Sequence, residues 1–306
     1  MEKCSIVIAE FNEGENIYQL YKEIIDSLTE NYDFEIIFVD DASTDNSANI
    51  ISQLIKKDSR VRGFCLKKNT NKFGALVLGI QKAKNAIIVT ADADLQDDPK
   101  EIYKTIEKIE QGADVVMGWR KKRMDVFSKR IISRLMNSLT NILLGQRFHD
   151  MNTGLKAFRK DAVSSLNISS ELFRFAPHLL AARGFDVCEV SINHRERKHG
   201  KTKFSFLNRM KSVIDLTTVF FLAKFQQRPM QFFFFIGMPI ILIGLILFFY
   251  LTFLWFNGYV IGDRPLLSLS ILLIIVGLQI CSVGLIGDLI LITNKRDTNN
   301  FPYRKL

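Results

Sequence analysis

Asp92 and Asp94 stand two residues apart, with Gln96 two further on, at the end of the apolar run AIIVTA, which reads as a β-strand. Carboxylates crowded at a strand end repel one another unless a cation lies between them, and hard oxygen donors of this kind select Mg²⁺ or Mn²⁺. An ion held there would neutralise charge developing on a departing diphosphate. Acidic clusters recur at two earlier strand ends: Ala9-Glu10-Phe11-Asn12-Glu13 follows SIVIA, and Asp40-Asp41-Ala42-Ser43-Thr44-Asp45 follows FEIIFV. A lone acidic pair has a blander use, capping the following helix, and Asp97 or Asp98 before Pro99 fits an N-cap. Three clusters in order ask for more than capping.

The elements that position them follow from the apolar pattern. From Cys4 to about Gly118 the runs SIVIA, FEIIFV, VRGFCL, AIIVTA and ADVVMG alternate with helix-length segments at 14–29, 45–57, 72–84 and 99–110. This spacing predicts right-handed β-α-β units and a mostly parallel sheet covered on both faces. Ligands of such sheets bind at the carboxyl ends of the strands, so the three clusters converge on one rim. Residues 120–204 are mixed: a basic helical stretch at 127–144, the segment HDMNTGLKAFR, a helix near 171–183, the strand-like FDVCEVSI and the basic run HRERKHGKTK.

Beyond Phe204 the composition changes. Leu207, Met210, Val213, Ile214, Thr217, Phe220, Phe221 and Phe225 recur at helical spacing beside Arg209, Lys211 and Lys224, which suits a helix lying in a membrane interface. Residues 232–256 and 266–287 contain no Asp, Glu, Lys or Arg, and each exceeds the ~18 apolar residues of a membrane span. Lys and Arg crowd before the first (to Arg228) and after the second (Lys295, Arg296, Arg304, Lys305), while the loop between them holds only Arg264. By the positive-inside rule both termini are expected in the cytoplasm. The chain leads into its first strand without a signal-peptide pattern, and the sequon at Asn167 is then expected to go unused. Membrane lipid accounts for much of the net charge of +9, and no groove-reading motif points to nucleic acid. Four scattered cysteines without a C-x-x-C pair suggest neither a disulfide framework nor a zinc site.

The strand-end motifs resemble those of family 2 glycosyltransferases of GT-A fold, which read roughly P-x-Y-N-E, V-D-D-x-S-x-D and D-A/G-D-L-Q. The resemblance continues through Gly118-Trp119-Arg120, His149-Asp150 and Thr153 to Arg159, and the spaced His194, Arg197, Gly200, Thr202 and Lys203. It ends at Gly284-Leu285-Ile286-Gly287-Asp288, close to the G-L-I-G-E of polyprenyl-phosphate glycosyltransferases, the branch that includes dolichol-phosphate mannose synthases. The resemblance implies a GT-A domain at 1–204, an interfacial amphipathic helix at 205–230, a transmembrane helix pair at 231–292 and a cytoplasmic tail at 293–306. It implies metal-dependent, inverting transfer of a sugar from a UDP- or GDP-hexose to a polyprenyl phosphate.

Carried over by position, the resemblance places Ala9, Phe11, Glu13 and Asp40 at the nucleoside. Asp92, Ala93, Asp94 and Gln96 surround the metal and the donor phosphates, with Arg120, Arg197 and Lys203 closing the diphosphate clamp. Asp150 stands where relatives are assigned a catalytic base. A phosphate acceptor with a second pKa near 6 is already largely ionised, so Asp150 is expected instead to orient the acceptor or a neighbouring Arg. Arg130 and Arg134, four apart on one helix face, are candidates for the acceptor phosphate. The chain departs from the family at Ala9, where Pro is usual, and at Phe11, which removes a tyrosine hydroxyl from the expected pocket; Met151-Asn152-Thr153 also differs from close relatives. Asp288 is expected to pair with Lys295 or interfacial water, and Gly277, Gly284 and Gly287 hint at close helix packing and a homo-oligomer. Two alternatives compete with this reading. A processive polysaccharide synthase would carry Q-x-x-R-W, absent here; a non-catalytic protein binding nucleotide or lipid would not need acids kept at three strand ends.

Overall fold

The computed structural model describes residues 3–121, 137–166, 170–195, 206–262 and 265–293. The chain divides into two compact units, one running through Val219 and the other beginning at Phe220.

In the first unit the five apolar runs form strands: β1 (Cys4–Glu10), β2 (Phe34–Asp40), β3 (Val61–Cys65), β4 (Ile87–Asp92) and β5 (Val115–Arg120). Two more strands, β6 (Lys156–Arg159) and β7 (Val187–Ile192), complete a seven-stranded sheet of order β3-β2-β1-β4-β6-β5-β7. The first four in that order run parallel, as do β5 and β7. β6 is antiparallel to both neighbours and joins the two parallel blocks.

Every residue of β1 and β2 is buried, because helices cover both faces. Alternation along β1 sends Ile6 and Ile8 into one core with Ile17, Leu20 and Ile24 of α1 (Gly14–Leu28), Ile51 and Leu54 of α2 (Ser47–Lys57), and Ile102, Ile106 and Ile109 of α4 (Ile102–Glu110). Val7 and Ala9 face the other core, with Ala75, Leu76 and Ile80 of α3 (Asn71–Lys82). That second core is completed by α6 (Lys160–Ser164), a 3₁₀ turn at Ser170–Phe175 and α7 (Ala176–Ala182); a further helix, α5, covers 137–144. The helix expected over 205–230 appears as α8 (Phe206–Lys224).

The second unit holds α9 (Pro229–Phe256) and α10 (Pro265–Thr293), of 28 and 29 residues. At 1.5 Å per residue each is about 40 Å long, enough to cross a ~30 Å hydrocarbon layer. Their buried positions repeat at heptad spacing: Gly237, Gly244 and Leu251 on α9, Ser270, Gly277 and Gly284 on α10. A Cβ on Gly277 would stand 2.9 Å from the Gly237 carbonyl oxygen, and one on Gly244 3.0 Å from that of Ser270. Glycine is therefore what lets these backbones touch. Gly277, Gly284 and Gly287 all pack within the chain's own helix pair. Asp288 accepts a hydrogen bond from Met230 N at 3.2 Å, so its partner among the described residues is the N-terminus of α9; Lys295 lies outside them.

Candidate active site

The register places the acidic strand ends side by side: Glu10 of β1 pairs with Asp40 of β2, and Ala9 with Asp92 of β4. Glu10 is 3% exposed; burial, and then the neighbouring Asp40 charge, push its carboxyl up to about 8. The two loops that follow are tied together. Ser43 donates its hydroxyl to Glu10 at 3.3 Å and accepts from Asn12 N at 2.9 Å, while Asn12 Oδ1 accepts from Thr44 N at 2.8 Å. Asp45 accepts from Gly14 N and Ser47 N and thereby stitches the starts of α1 and α2. Each strand end turns through one non-glycine residue in the left-handed region, Asn12 (φ 56°), Ala42 (φ 61°) and Leu95 (φ 57°). Such backbone is sparsely populated, and strain of this kind gathers where a site needs a fixed shape.

Asp40 is buried, its carboxylate accepting from Ser43 N at 2.7 Å and from Cys65 Sγ at 3.4 Å. Ala9 and Ala93 are buried beneath the rim, Phe11 is half-buried, and Glu13 accepts from Asn16 Nδ2 at 2.7 Å.

At the β4 end, Asp92 forms an ion pair with Lys72 of α3. Desolvation opposes its charge, yet Lys72, with Lys156 and Arg120 beyond it, outweighs that and holds the carboxyl below the usual range. The carboxylate lies flat against Gly154, where any Cβ would overlap it. Asp94 accepts from Gln96 N at 3.2 Å. Asp98 is the N-cap before Pro99, accepting from Lys100 N at 3.0 Å. Asp97 turns the other way, its Oδ2 accepting from Thr153 Oγ1, Gly154 N and Leu155 N at 3.0–3.2 Å. Adjacent acids thus serve different loops, and Asp97 fixes the backbone on which Asp92 rests.

Arg120, at the β5 end, forms a two-pronged pair with Asp150, Nε to Oδ2 at 2.6 Å and Nη2 to Oδ1 at 3.0 Å. Asp150 is 2% exposed and the Arg120 side chain 9%. The fork geometry satisfies both groups at once, which two buried charges require. Glu189 of β7 holds the same loop by accepting from His149 N at 2.8 Å and Asp150 N at 3.2 Å, and by contacting His149 Nδ1. The His149 ring stacks on Trp119, centroids 4.1 Å apart. Lys156, beneath this loop, donates to Thr153 O at 2.8 Å, and burial, followed by the like charge of Lys72, lowers its pKa to about 8.

Thus Asp92, Asp94, Gln96, Arg120 and Asp150 lie at the carboxyl ends of β4 and β5 and on the loop pinned there, with Ala9, Phe11, Glu13 and Asp40 at the ends of β1 and β2. Arg130, Arg134, Arg197 and Lys203 lie outside the described residues. Among the described residues no group of three or more His, Cys, Asp or Glu side chains is gathered for a metal. The donors available are the carboxylates of Asp92 and Asp94, with the Lys72 ammonium supplying positive charge at the first. Sequence reasoning missed Lys72, Glu189 and the role of Asp97. The rim argument applied to the polar run Asn69 to Lys72 after β3 would have found the first, and a lone acid in the apolar strand VCEVSI the second.

The profile of Glycosyl transferase family 2 matches residues 5–166. The chain is 29% identical over 302 residues to a dodecaprenyl-phosphate galacturonate synthase of Rhizobium johnstonii, covering 96% of this chain and 89% of that protein. It is 33% identical over 294 residues to an undecaprenyl-phosphate 4-deoxy-4-formamido-L-arabinose transferase of Shewanella sediminis, covering 94% and 86%. Among solved structures, glucosyl-3-phosphoglycerate synthase of Mycobacterium tuberculosis superposes with a TM-score of 0.54 at 16% identity, over 71% of this chain and 80% of that one. The last match establishes a shared fold.

Proposed function

The chain belongs to glycosyl transferase family 2, and from that premise we propose that it moves a sugar from a nucleotide sugar onto a polyprenyl phosphate at a membrane surface. The observation that carries this reading is the extent of the similarity: relatives named for transfer to dodecaprenyl and undecaprenyl phosphate match over 94–96% of the chain, apolar helices included.

The donor's nucleoside rests against the ends of β1 and β2, where Ala9, Phe11, Glu13 and Asp40 line the approach. Asp40 suits this role because one of its partners is a thiol, a weak donor that a base N–H can replace. Asp92 and Asp94, joined by Gln96, fit Mg²⁺ or Mn²⁺ in donor chemistry, and the Lys72 ammonium already marks the place where positive charge is needed. A divalent ion there would supply charge stabilisation to the leaving diphosphate. Arg197 and Lys203 complete the phosphate contacts.

The acceptor's phosphate oxygen attacks the anomeric carbon opposite the leaving group, so the configuration inverts. Its dianion needs no deprotonation at neutral pH. The two-pronged Arg120–Asp150 pair supports this: a carboxylate engaged on both oxygens positions an arginine rather than waiting for a proton. The division expected from sequence, a catalytic domain at 1–204 followed by an interfacial helix and a spanning pair, is part of this proposal, and the flanking Lys and Arg favour a cytoplasmic face for the α/β unit and both termini.

The test is mass spectrometry of lipids formed by the purified protein from a panel of UDP- and GDP-sugars with undecaprenyl phosphate, with and without EDTA. One EDTA-sensitive glycosyl phospholipid, lost in Asp94→Ala, is the expected result. Glycosylation of a free sugar or a protein with no lipid product would overturn the acceptor assignment.

A further inference from the structure

Beside Lys72 and Gly154, both of which touch Asp92, lies a cavity of about 40 Å³, lined by Lys72, Lys156, Arg174, Thr90, Asn152 and Thr153 together with apolar side chains; among the described residues no carboxylate lines it. A water needs roughly 10–15 Å³ of such space, so the cavity suits a few waters or one phosphoryl group and excludes a sugar or a base. Lys156 is 6% exposed, and its ammonium has one hydrogen-bond acceptor among the described residues, the Thr153 carbonyl. The Asp92 and Asp150 charges favour this cation, yet burial and the like charge of Lys72 outweigh them, and an anion in direct contact with it would offset that cost. Arg174 donates to Asp215 of α8 at 2.7 Å, so one wall of the cavity is tied to the helix that leads toward the apolar pair. Lys72 spans the other wall to Asp92.

We infer that this cavity seats the phosphate monoester of the lipid acceptor, held by Lys72, Lys156 and Arg174 with the Thr90 and Thr153 hydroxyls nearby. The inference rests on the transfer reading above and deepens it. Three features single out the acceptor's phosphate over the donor's. The cavity admits one phosphoryl group, its arginine wall joins α8, and its Lys72 wall adjoins the candidate donor carboxylates, as an attacking phosphate requires. Arg130 and Arg134, offered for this phosphate by the sequence, lie outside the described residues.

The experiment measures equilibrium binding of undecaprenyl phosphate in detergent micelles, and separately of UDP and GDP, to the full chain and to Lys156→Met and Arg174→Gln. Loss of one charge-assisted hydrogen bond corresponds to an increase in Kd of about tenfold or more. Undecaprenyl phosphate should therefore weaken by that factor in each variant while nucleotide binding stays within about twofold. Inorganic phosphate should compete with undecaprenyl phosphate on the unaltered protein, which tests the site even where a variant fails to fold. Unchanged lipid binding in both variants, or no competition by phosphate, overturns the inference. Equal weakening of nucleotide binding assigns the cavity to the donor and overturns it as well. Binding needs no turnover, so a protein that binds undecaprenyl phosphate here yet forms no lipid product refutes the transfer reading alone.

Discussion

The two units use apolar residues in opposite senses. In the α/β unit large apolar side chains fill the interior: Phe38, Phe158, Phe175, Ile6 and Ile8 are fully buried, while acidic groups gather at the strand ends. In the helix pair Phe235, Phe249 and Phe256 are 72%, 65% and 77% exposed, and the buried positions are mostly glycines, with Ser270, Pro229 and Leu251 beside them. The difference reflects the surroundings each is built for. Water drives large apolar groups inward, whereas lipid tails solvate phenylalanine as well as a protein core does, leaving close backbone contact to hold helices together. Composition alone therefore does not say which way a residue faces.

The sharpest way to break this contrast is to truncate the same side chain in each unit. Phe38→Ala should lower stability by about 3–5 kcal/mol, whereas Phe235→Ala should change it by no more than about 0.5 kcal/mol. Denaturant unfolding of the full chain in detergent, followed by fluorescence, reads both, and similar losses would show that α9 is packed as a soluble core. Next in size is Arg120→Ala, which strands the buried Asp150 carboxylate and should cost about 3–5 kcal/mol. Arg120→Lys should recover only part of it, because an ammonium cannot reproduce the fork; full recovery would make the pair a simple charge contact. In the other unit Gly277→Val should cost about 1–3 kcal/mol through overpacking, while Gly262→Ala, with open space around it, should be nearly silent in thermal melts.

A last contrast is a dependence on pH that two buried groups give the α/β unit. Glu10 is raised to about 8 when folded, so its contribution to stability is full below its ordinary range near 4.5 and is lost as pH rises toward 8. His178 is lowered to about 3 by burial, then by Lys156, so its contribution is present above about 6.5 and is lost as pH falls toward 3. Unfolding midpoints of Glu10→Gln and His178→Phe across pH 4–8 should each lack one of these slopes. Parallel curves for variant and parent would show that neither group titrates as its surroundings require.

Most of the α/β frame was legible because buried parallel strands leave unbroken apolar runs, and the acidic residues ending them mark the rim. β6 was not read as a strand: its four residues, Lys156 to Arg159, begin and end in cations, and only its place between β4 and β5 makes it central. Of the adjacent acids, Asp98 caps as a local pattern allows. The use of Asp97 depends on a loop some 56 residues away, which no local pattern encodes. Lys72, on α3, lay within reach of the rim argument, but its pairing with Asp92 of β4 is as non-local as the Asp97 contacts. Local chemistry reads forward along the chain, but partners chosen across the fold do not.

The bond from Met230 N to Asp288 has a further consequence for the helix pair. Apart from Asp288, α9 and α10 carry no charged side chain, and their register rests on glycine contacts that recur every seven residues and look alike from one repeat to the next. A carboxylate clipped to a helix N-terminus gives one end of the pair a chemical identity that the other end lacks, and slippage by a turn would strand that charge among hydrocarbon. Asp288, the one charged side chain of the two helices, thereby distinguishes one end of the pair from the other.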